Sequence, residues 1–284
     1  MPTPRIRIGE CVGPYHGRID ADAAYAYARA TLDPNPVYEE GGAVPPPYTV
    51  SLVLPAYVEA QRLGVEPGAI DGAHGGVHGE HSLVVRRPLA PGAPVSWEVC
   101  TSGAAKTKAG VLVTHHIVVS DDEGPAVEHD WSTLYLGGTI PESIGEPLVD
   151  HTFPESARDH VVGTHTFSLA RDQPFLYGGA SGDRSPMHVD DEFARAMGFP
   201  SKFMQGLATF AMCCGAVVKL GADGDPDRVR RLACRFAAPA YPGDDVVVTV
   251  YDAGPTEGGG QAFAFEAESN GATVIRHGRA DISA

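Results

Sequence analysis

Two stretches of this chain read alike 150 residues apart, and that repeat limits the folds open to it. Asp33-Pro34-Asn35-Pro36-Val37-Tyr38 lines up with Asp183-Arg184-Ser185-Pro186-Met187-His188. Asp and Pro stay in register, while the last position is Tyr in one and His in the other. Over 27–36 against 177–186, four of ten positions are identical: Tyr27/Tyr177, Ala30/Ala180, Asp33/Asp183 and Pro36/Pro186. Over 88–99 against 239–250, at an offset of 151, five of twelve match, Pro91/Pro242 and Gly92/Gly243 among them. Two matched blocks at nearly one offset imply two copies of one structural unit. A repeat of that kind sets the architecture before any local reading does.

Each copy has the same order. A short helical stretch leads into the Asp-x-x-Pro turn, and a long apolar helix follows, over 49–64 in the first copy and 204–220 in the second. Strand-like runs come next: 80–87, 93–101, 109–120 and 128–136, then 229–237, 244–252, 261–268 and 272–283. Gly and Pro punctuate them. The second helix is apolar nearly all round (Met204, Leu207, Phe210, Met212, Cys213, Val217, Leu220) and so must be enclosed. Four strands of the same unit can wrap it as a curved antiparallel sheet, an α+β arrangement. Pro55 predicts a break or kink in the first helix. We read residues 1–140 as the first unit, 141–158 as a linker and 159–284 as the second unit.

The 284 residues, 43% hydrophobic and 20% charged, suffice for a full core without disulfides. Five cysteines, an odd number in no regular framework, predict buried thiols and a reducing compartment. The first residues hold no apolar run of the secretory kind, and no stretch is apolar enough to span a membrane, so a cytoplasmic location is expected. No Cys/His spacing suits zinc, and no metal is expected. A net charge of −15 speaks against nucleic acid. Against that background, residues 195–235 carry seven cations (Arg195, Lys202, Lys219, Arg228, Arg230, Arg231, Arg235) and three aspartates. This is either a site for a phosphate-bearing ligand or a solvated basic loop.

Ser185 and Pro186 have the form of a helix start, with Ser185 as cap and Pro186 in the first helical position. Asp190, Asp191 and Glu192 then favour the helix dipole. Capping does not account for Asp183 with His188. A carboxylate and an imidazole on one side of a turn can hold a water and move its proton at neutral pH; a surface His beside an acidic cap is the other reading. Gly206 starts the buried helix, where unpaired N–H groups can meet a carbonyl oxygen that gains charge; close packing alone would also call for glycine. His115 and His116 are adjacent in a strand and point to opposite faces, which speaks against a shared metal.

Tyr177-x-x-x-Ser181-Gly182-Asp183-x-Ser185-Pro186-x-His188-x-Asp190, with Phe193-Ala194, Gly198-Phe199-Pro200 and Gly206-Leu207, resembles the (R)-specific enoyl-CoA hydratase (hydratase 2) motif of MaoC-like proteins. Arg235-Phe236-x-x-Pro239-x-x-Pro242-Gly243-Asp244 resembles a later block of the same family. The first half is similar through its degenerate repeat and the stretch from His78 to Gly92. The resemblance implies a double hotdog, two fused units of which the second keeps the catalysis and the first shapes the substrate pocket. It implies Asp183 as base and His188 as acid–base partner for a water that adds to a trans-2-enoyl thioester, and the Gly206 N–H on the thioester carbonyl. Tyr177, Ser185, Gln205, Lys202, Arg235 and His78 are the candidate substrate-binding residues. No cofactor is implied, since CoA is part of the substrate, and the partners would be acyl-CoA or acyl carrier protein and a second copy of the chain. Ser185 stands where the family usually has Asn, and Gln205 where it usually has His, which would alter the pocket wall. A hotdog thioesterase and a non-catalytic acyl-thioester binder are the other readings. The segment from Tyr38 to Pro47 is shorter than that from His188 to Pro200. This predicts open space beside the cleft for a bulky or long acyl chain.

Overall fold

The computed structural model describes residues 5–147, 149–150 and 152–284. The first copy contributes β1 (Cys11–Arg18), α1 (Ala21–Ala30), α2 (Thr49–Gly64), β2 (Gly76–Val85), β3 (Pro94–Lys106), β4 (Gly110–Asp121) and β5 (Gly124–Leu136). A two-residue β6 (Ile144–Gly145) pairs with β3. The second copy contributes β7 (Val161–Ser168), α3 (Gln173–Ser181), α4 (Pro186–Val189), α5 (Asp191–Ala196) and α6 (Gly206–Gly221). Its remaining strands are β8 (Val229–Phe236), β9 (Asp245–Pro255), β10 (Gln261–Ser269) and β11 (Ala272–Ile282).

The strands form one antiparallel sheet in the order β1-β3-β4-β5-β2-β8-β11-β10-β9-β7. Read outward from its middle, each half repeats one order, with β8, β11, β10, β9 and β7 answering β2, β5, β4, β3 and β1. The halves join where β2 runs antiparallel to β8, with Glu80 opposite Arg235 and Val84 opposite Arg231. Glu80 and Arg235 close that joint with an ion pair at 2.6 Å. The fold is a double hotdog, α2 and α6 being the two long helices. Tyr27 and Tyr177, counterparts in the repeat, meet between the copies with ring centroids 5.6 Å apart.

Apolar patterning accounts for the packing. In β9, Val246, Val248 and Val250 are buried, and the intervening residues face outward, the period of two that a one-sided strand requires. α6 is buried continuously from Leu207 to Val218, so its circumference offers no solvent face. α2 buries Val50, Val53, Ala56, Tyr57 and Ala60. Pro55 does not break it: the helix runs unbroken from Thr49 to Gly64, with Pro55 on its exposed side. There the carbonyl that loses its amide partner can turn to water.

The cysteines depart from expectation. Cys11 and Cys100 form a disulfide, because edge strand β1 places Cys11 directly opposite Cys100 on β3. The two are 89 residues apart in sequence, a pairing that only strand register reveals. Cys213, Cys214 and Cys234 are buried free thiols, as expected. Among the described residues no helix is long and apolar enough to cross a membrane.

A chain of imidazoles lies beneath α2. Thr49 Oγ1 meets His129 Nε2 at 2.9 Å, and His129 Nδ1 meets His81 Nε2 at 3.1 Å. His115 packs its ring edge-on to Tyr57 at 5.3 Å, while its neighbour His116 faces outward to Asp130 at 2.9 Å. Burial pushes His78 and His129 down to about 3 and His115 to about 4. An unfolded chain takes up these protons near pH 6.5, so the folded state binds fewer protons between about pH 6.5 and 3. The stabilisation is complete above that window and drains as pH falls through it. Urea unfolding between pH 7.5 and 4.5 should show stability dropping below pH 6.5; a flat profile would contradict the burial of these rings.

Candidate active site

α3 ends at Ser181, and Gly182 takes a left-handed backbone with φ 81° as its C-cap, a conformation glycine adopts without a side-chain clash. The chain then turns through Asp183. Asp183 Oδ1 accepts the Ser185 N–H at 3.1 Å, just as Asp33 Oδ1 accepts the Asn35 N–H at 3.1 Å in the first copy. The repeated Asp therefore builds the same Asx turn twice. Ser185 starts the one-turn helix α4 without capping it. Its hydroxyl donates to Asp183 Oδ1 at 2.6 Å instead, because the carboxylate lies closer and attracts the donor more strongly than an amide would be attracted. Asp190 is the side chain that caps a helix here, accepting from the N–H groups of Glu192 and Phe193 at the start of α5.

The turn leaves Asp183 Oδ2 free of these bonds and brings it to 4.0 Å from His188 Nε2. His188 is buried, and its Nδ1 lies 2.9 Å from the Phe203 carbonyl oxygen. A carbonyl only accepts, so Nδ1 carries the hydrogen and a neutral ring presents its lone pair at Nε2, toward Asp183. Burial holds His188 below its ordinary pKa, against the opposing pull of the Asp183 charge and the Phe203 carbonyl. The same segment leads on to α6, where the first turn-closing bond is Ala208 N–H to Gln205 O at 3.0 Å. The Gly206 N–H lies ahead of that bond and has no helical partner. Phe236 covers the glycine so closely that a Cβ would sit 3.1 Å from its ring.

Asp183 and His188 are thus drawn together, Ser185 braces the carboxylate, and the Gln205 side chain on the Asp183 carbonyl ties the start of α6, with Gly206, to the same turn. His78 lies one ring away: it packs against Phe236 at 4.5 Å, stacks flat on Trp131 at 4.8 Å, and donates from Nε2 to the Glu80 carbonyl at 3.1 Å. Four of the expected substrate-binding residues are engaged by the protein itself. Tyr177 is buried in the core against Tyr27. Gln205 does not form a pocket wall, since its amide is buried and donates to the carbonyls of Pro174 and Asp183. Lys202 is held by Asp191 at 3.1 Å, and Arg235 by Glu80. The basic segment is equally dispersed, with Arg228 on Asp223 and Arg230 on the carbonyls of Asp227 and Val229. Local pairing explains most of this: Arg195, Arg228 and Arg230 find acceptors within their own stretch, Lys202 on Asp191 and Arg235 across the joint, while Arg231 reaches the Asp150 carbonyl and Lys219 the His165 ring.

Sequence reasoning missed the Phe203 carbonyl, Phe236 and the outer face of α2. A backbone acceptor leaves no signature in residue type. The face of α2 could have been found by extending the repeat. The offset between copies grows from 150 at the turns to 157 at the helix starts, Thr49 and Gly206. Gly215 then corresponds to Val58. Asp33 packs on Gly215, where a Cβ would fall 3.0 Å from its Oδ2. Val58 is instead 54% exposed.

Residues 153–270 match the MaoC like domain family. The sequence is 30% identical over 211 residues to a probable enoyl-CoA hydratase 2 of Dictyostelium discoideum, covering 72% of this chain and 69% of that protein. It is 41% identical over 101 residues to the enoyl-CoA hydratase ChsH3 of Mycobacterium tuberculosis, covering 36% of this chain and about a third, 34%, of that protein's length. A MaoC-like dehydratase from Phytophthora capsici shares the fold, with a TM-score of 0.79 over 98% of this chain and 96% of that one at 21% identity. A repeated turn that keeps its Asp–His pair in one copy only, on this fold and with these relatives, places the chain in the MaoC-like enoyl-CoA hydratase 2 family.

Proposed function

We propose that the protein is a hydro-lyase that adds water (R)-specifically to trans-2-enoyl-CoA, giving (R)-3-hydroxyacyl-CoA, and that it also runs the reverse dehydration. The observation that carries this reading is the pair of acceptors, Asp183 Oδ2 and His188 Nε2, facing each other 4.0 Å apart. That gap is too wide for a direct hydrogen bond and suits a water donating one hydrogen to each. The (R) outcome is carried over from the hydratase 2 resemblance.

The water oxygen then presents a lone pair to Cβ of the enoyl thioester. As the O–Cβ bond forms, the π electrons move toward the thioester carbonyl, where the Gly206 N–H meets the growing negative charge. Nε2 takes one water proton, and the imidazolium is stabilised by Asp183 on one side and the Phe203 carbonyl on the other. That proton passes to Cα, and the second hydrogen stays on the new hydroxyl, so no net proton is gained or lost. The Phe203 bond supports His188 as the proton carrier, whereas the resemblance gave the base role to Asp183. The acyl chain extends along α2, where Val58 leaves open the space that Asp33 and Gly215 fill in the other copy. The first unit shapes this pocket, and the second performs the chemistry.

Asp183→Asn keeps an oxygen that accepts the Ser185 bonds, so the turn should persist. Hydration should fall by about 10²- to 10⁴-fold in this variant and in His188→Gln, followed as loss of absorbance of the conjugated thioester. Full activity in either folded variant would sink the assignment. His188 must be neutral to accept the proton, and burial lowers its pKa. The acid limb of kcat/KM should therefore have its midpoint below pH 6.5; a midpoint above 6.5 would contradict the role. Across an enoyl-CoA panel, long or branched acyl groups should outpace crotonyl-CoA, and the reverse ranking would count against an open cleft on α2.

A further inference from the structure

Gln205 ties the turn that carries Asp183 to the helix that carries Gly206. Its side chain is 1% exposed. Nε2 donates at 3.0 Å to the Pro174 carbonyl in the first turn of α3 and at 3.0 Å to the Asp183 carbonyl. One amide nitrogen thus spends both hydrogens on two backbone oxygens. Its Oε1 is buried and receives no hydrogen bond. The two donated bonds are therefore the polar contacts that hold this side chain. Gly178 gives independent support. A Cβ there would lie 2.9 Å from the Asp183 carbonyl oxygen and 3.5 Å from Gln205 Nε2. α3 is therefore without a side chain at the point where the clamp crosses it.

We propose that Gln205 is a positioning residue for the hydration, a role that rests on the hydratase reading above. It fixes the Asp183 backbone relative to the Gly206 N–H. The water held at Asp183 and His188 and the donor to the thioester oxygen then keep the separation that Cβ and the carbonyl oxygen of one substrate demand. Gln205 acts through Asp183 and does not touch substrate. An amide does not titrate, so the clamp keeps two donors at every working pH. A neutral imidazole, the usual side chain at this place in the family, offers one.

The test compares Gln205→Met, which keeps the volume and removes both donors, with Gln205→Glu, which can donate only when protonated. Steady-state hydration of an enoyl-CoA that the wild type turns over is measured across pH, with melting temperature and amide exchange at Ser185. The Met variant should lose about 10- to 100-fold in kcat, with KM changed less than about twofold, and its Ser185 amide should exchange faster. The Glu variant should gain activity as pH falls through the titration of its carboxyl, opposite in sign to the wild type. Wild-type kcat in the Met variant, or a wild-type pH profile in the Glu variant, overturns the proposal. If the Met variant does not fold, the Glu profile decides. If the wild type hydrates no enoyl-CoA, the hydratase reading fails by itself. The clamp then stands or falls on Ser185 exchange in Gln205→Met: faster supports it, unchanged overturns it.

Discussion

A helix that is apolar around its whole circumference has to be covered on every side, and α6 imposes that demand on the molecule. The strands of its own unit curve over it, and the first copy closes the remaining side, with Asp33 seated against Gly215. Neither unit could leave the other without exposing that surface. The joint of β2 with β8 and the Tyr27–Tyr177 contact follow from the same need. The N-terminus of α6 is only half-buried. At Gly206 the helix starts with an unpaired N–H, next to the segment whose Phe203 carbonyl orients His188.

In the repeated turn the two oxygens of one carboxylate face different partners. Oδ1 of Asp183 holds the Asx turn and the Ser185 hydroxyl, and Oδ2 is left to face His188. In the first copy Asp33 makes the same turn, but Tyr38 follows it. Burial pushes the Asp33 carboxyl up and the Tyr38 phenol well up. In that copy the turn ends in a buried phenol, in the second in a buried imidazole. The seven-residue growth in offset between turn and helix is taken up by α5 and the segment after it, around the active turn alone.

Much of this was legible in the chain. The repeat, the long helices and their four following strands come from periodicity, which local sequence carries directly. β1 and β7 were not assigned, since they are edge strands with weak alternation. Asp183 and His188 stand out because cap geometry does not use them up, and Gly206 because it starts the buried helix, where N–H groups lack helical partners. The Cys11–Cys100 bond did not stand out, because strand register, not spacing, brings those thiols together. Lys202 and Arg235 looked like phosphate ligands by type, yet Asp191 and Glu80 claim them.

The sequence by itself determined that two like units would fold together and that only the second would carry an imidazole at its turn. Apolar period and residue identity are local properties, read without knowledge of neighbours. The tertiary structure decided what each polar group faces. It gave His188 its tautomer through a backbone carbonyl, and it turned Gln205 from a wall into a clamp. It also left Val58 bare where its counterpart is covered. Those outcomes depend on which distant atoms lie within hydrogen-bond reach, and reach is set by packing between segments far apart in the chain.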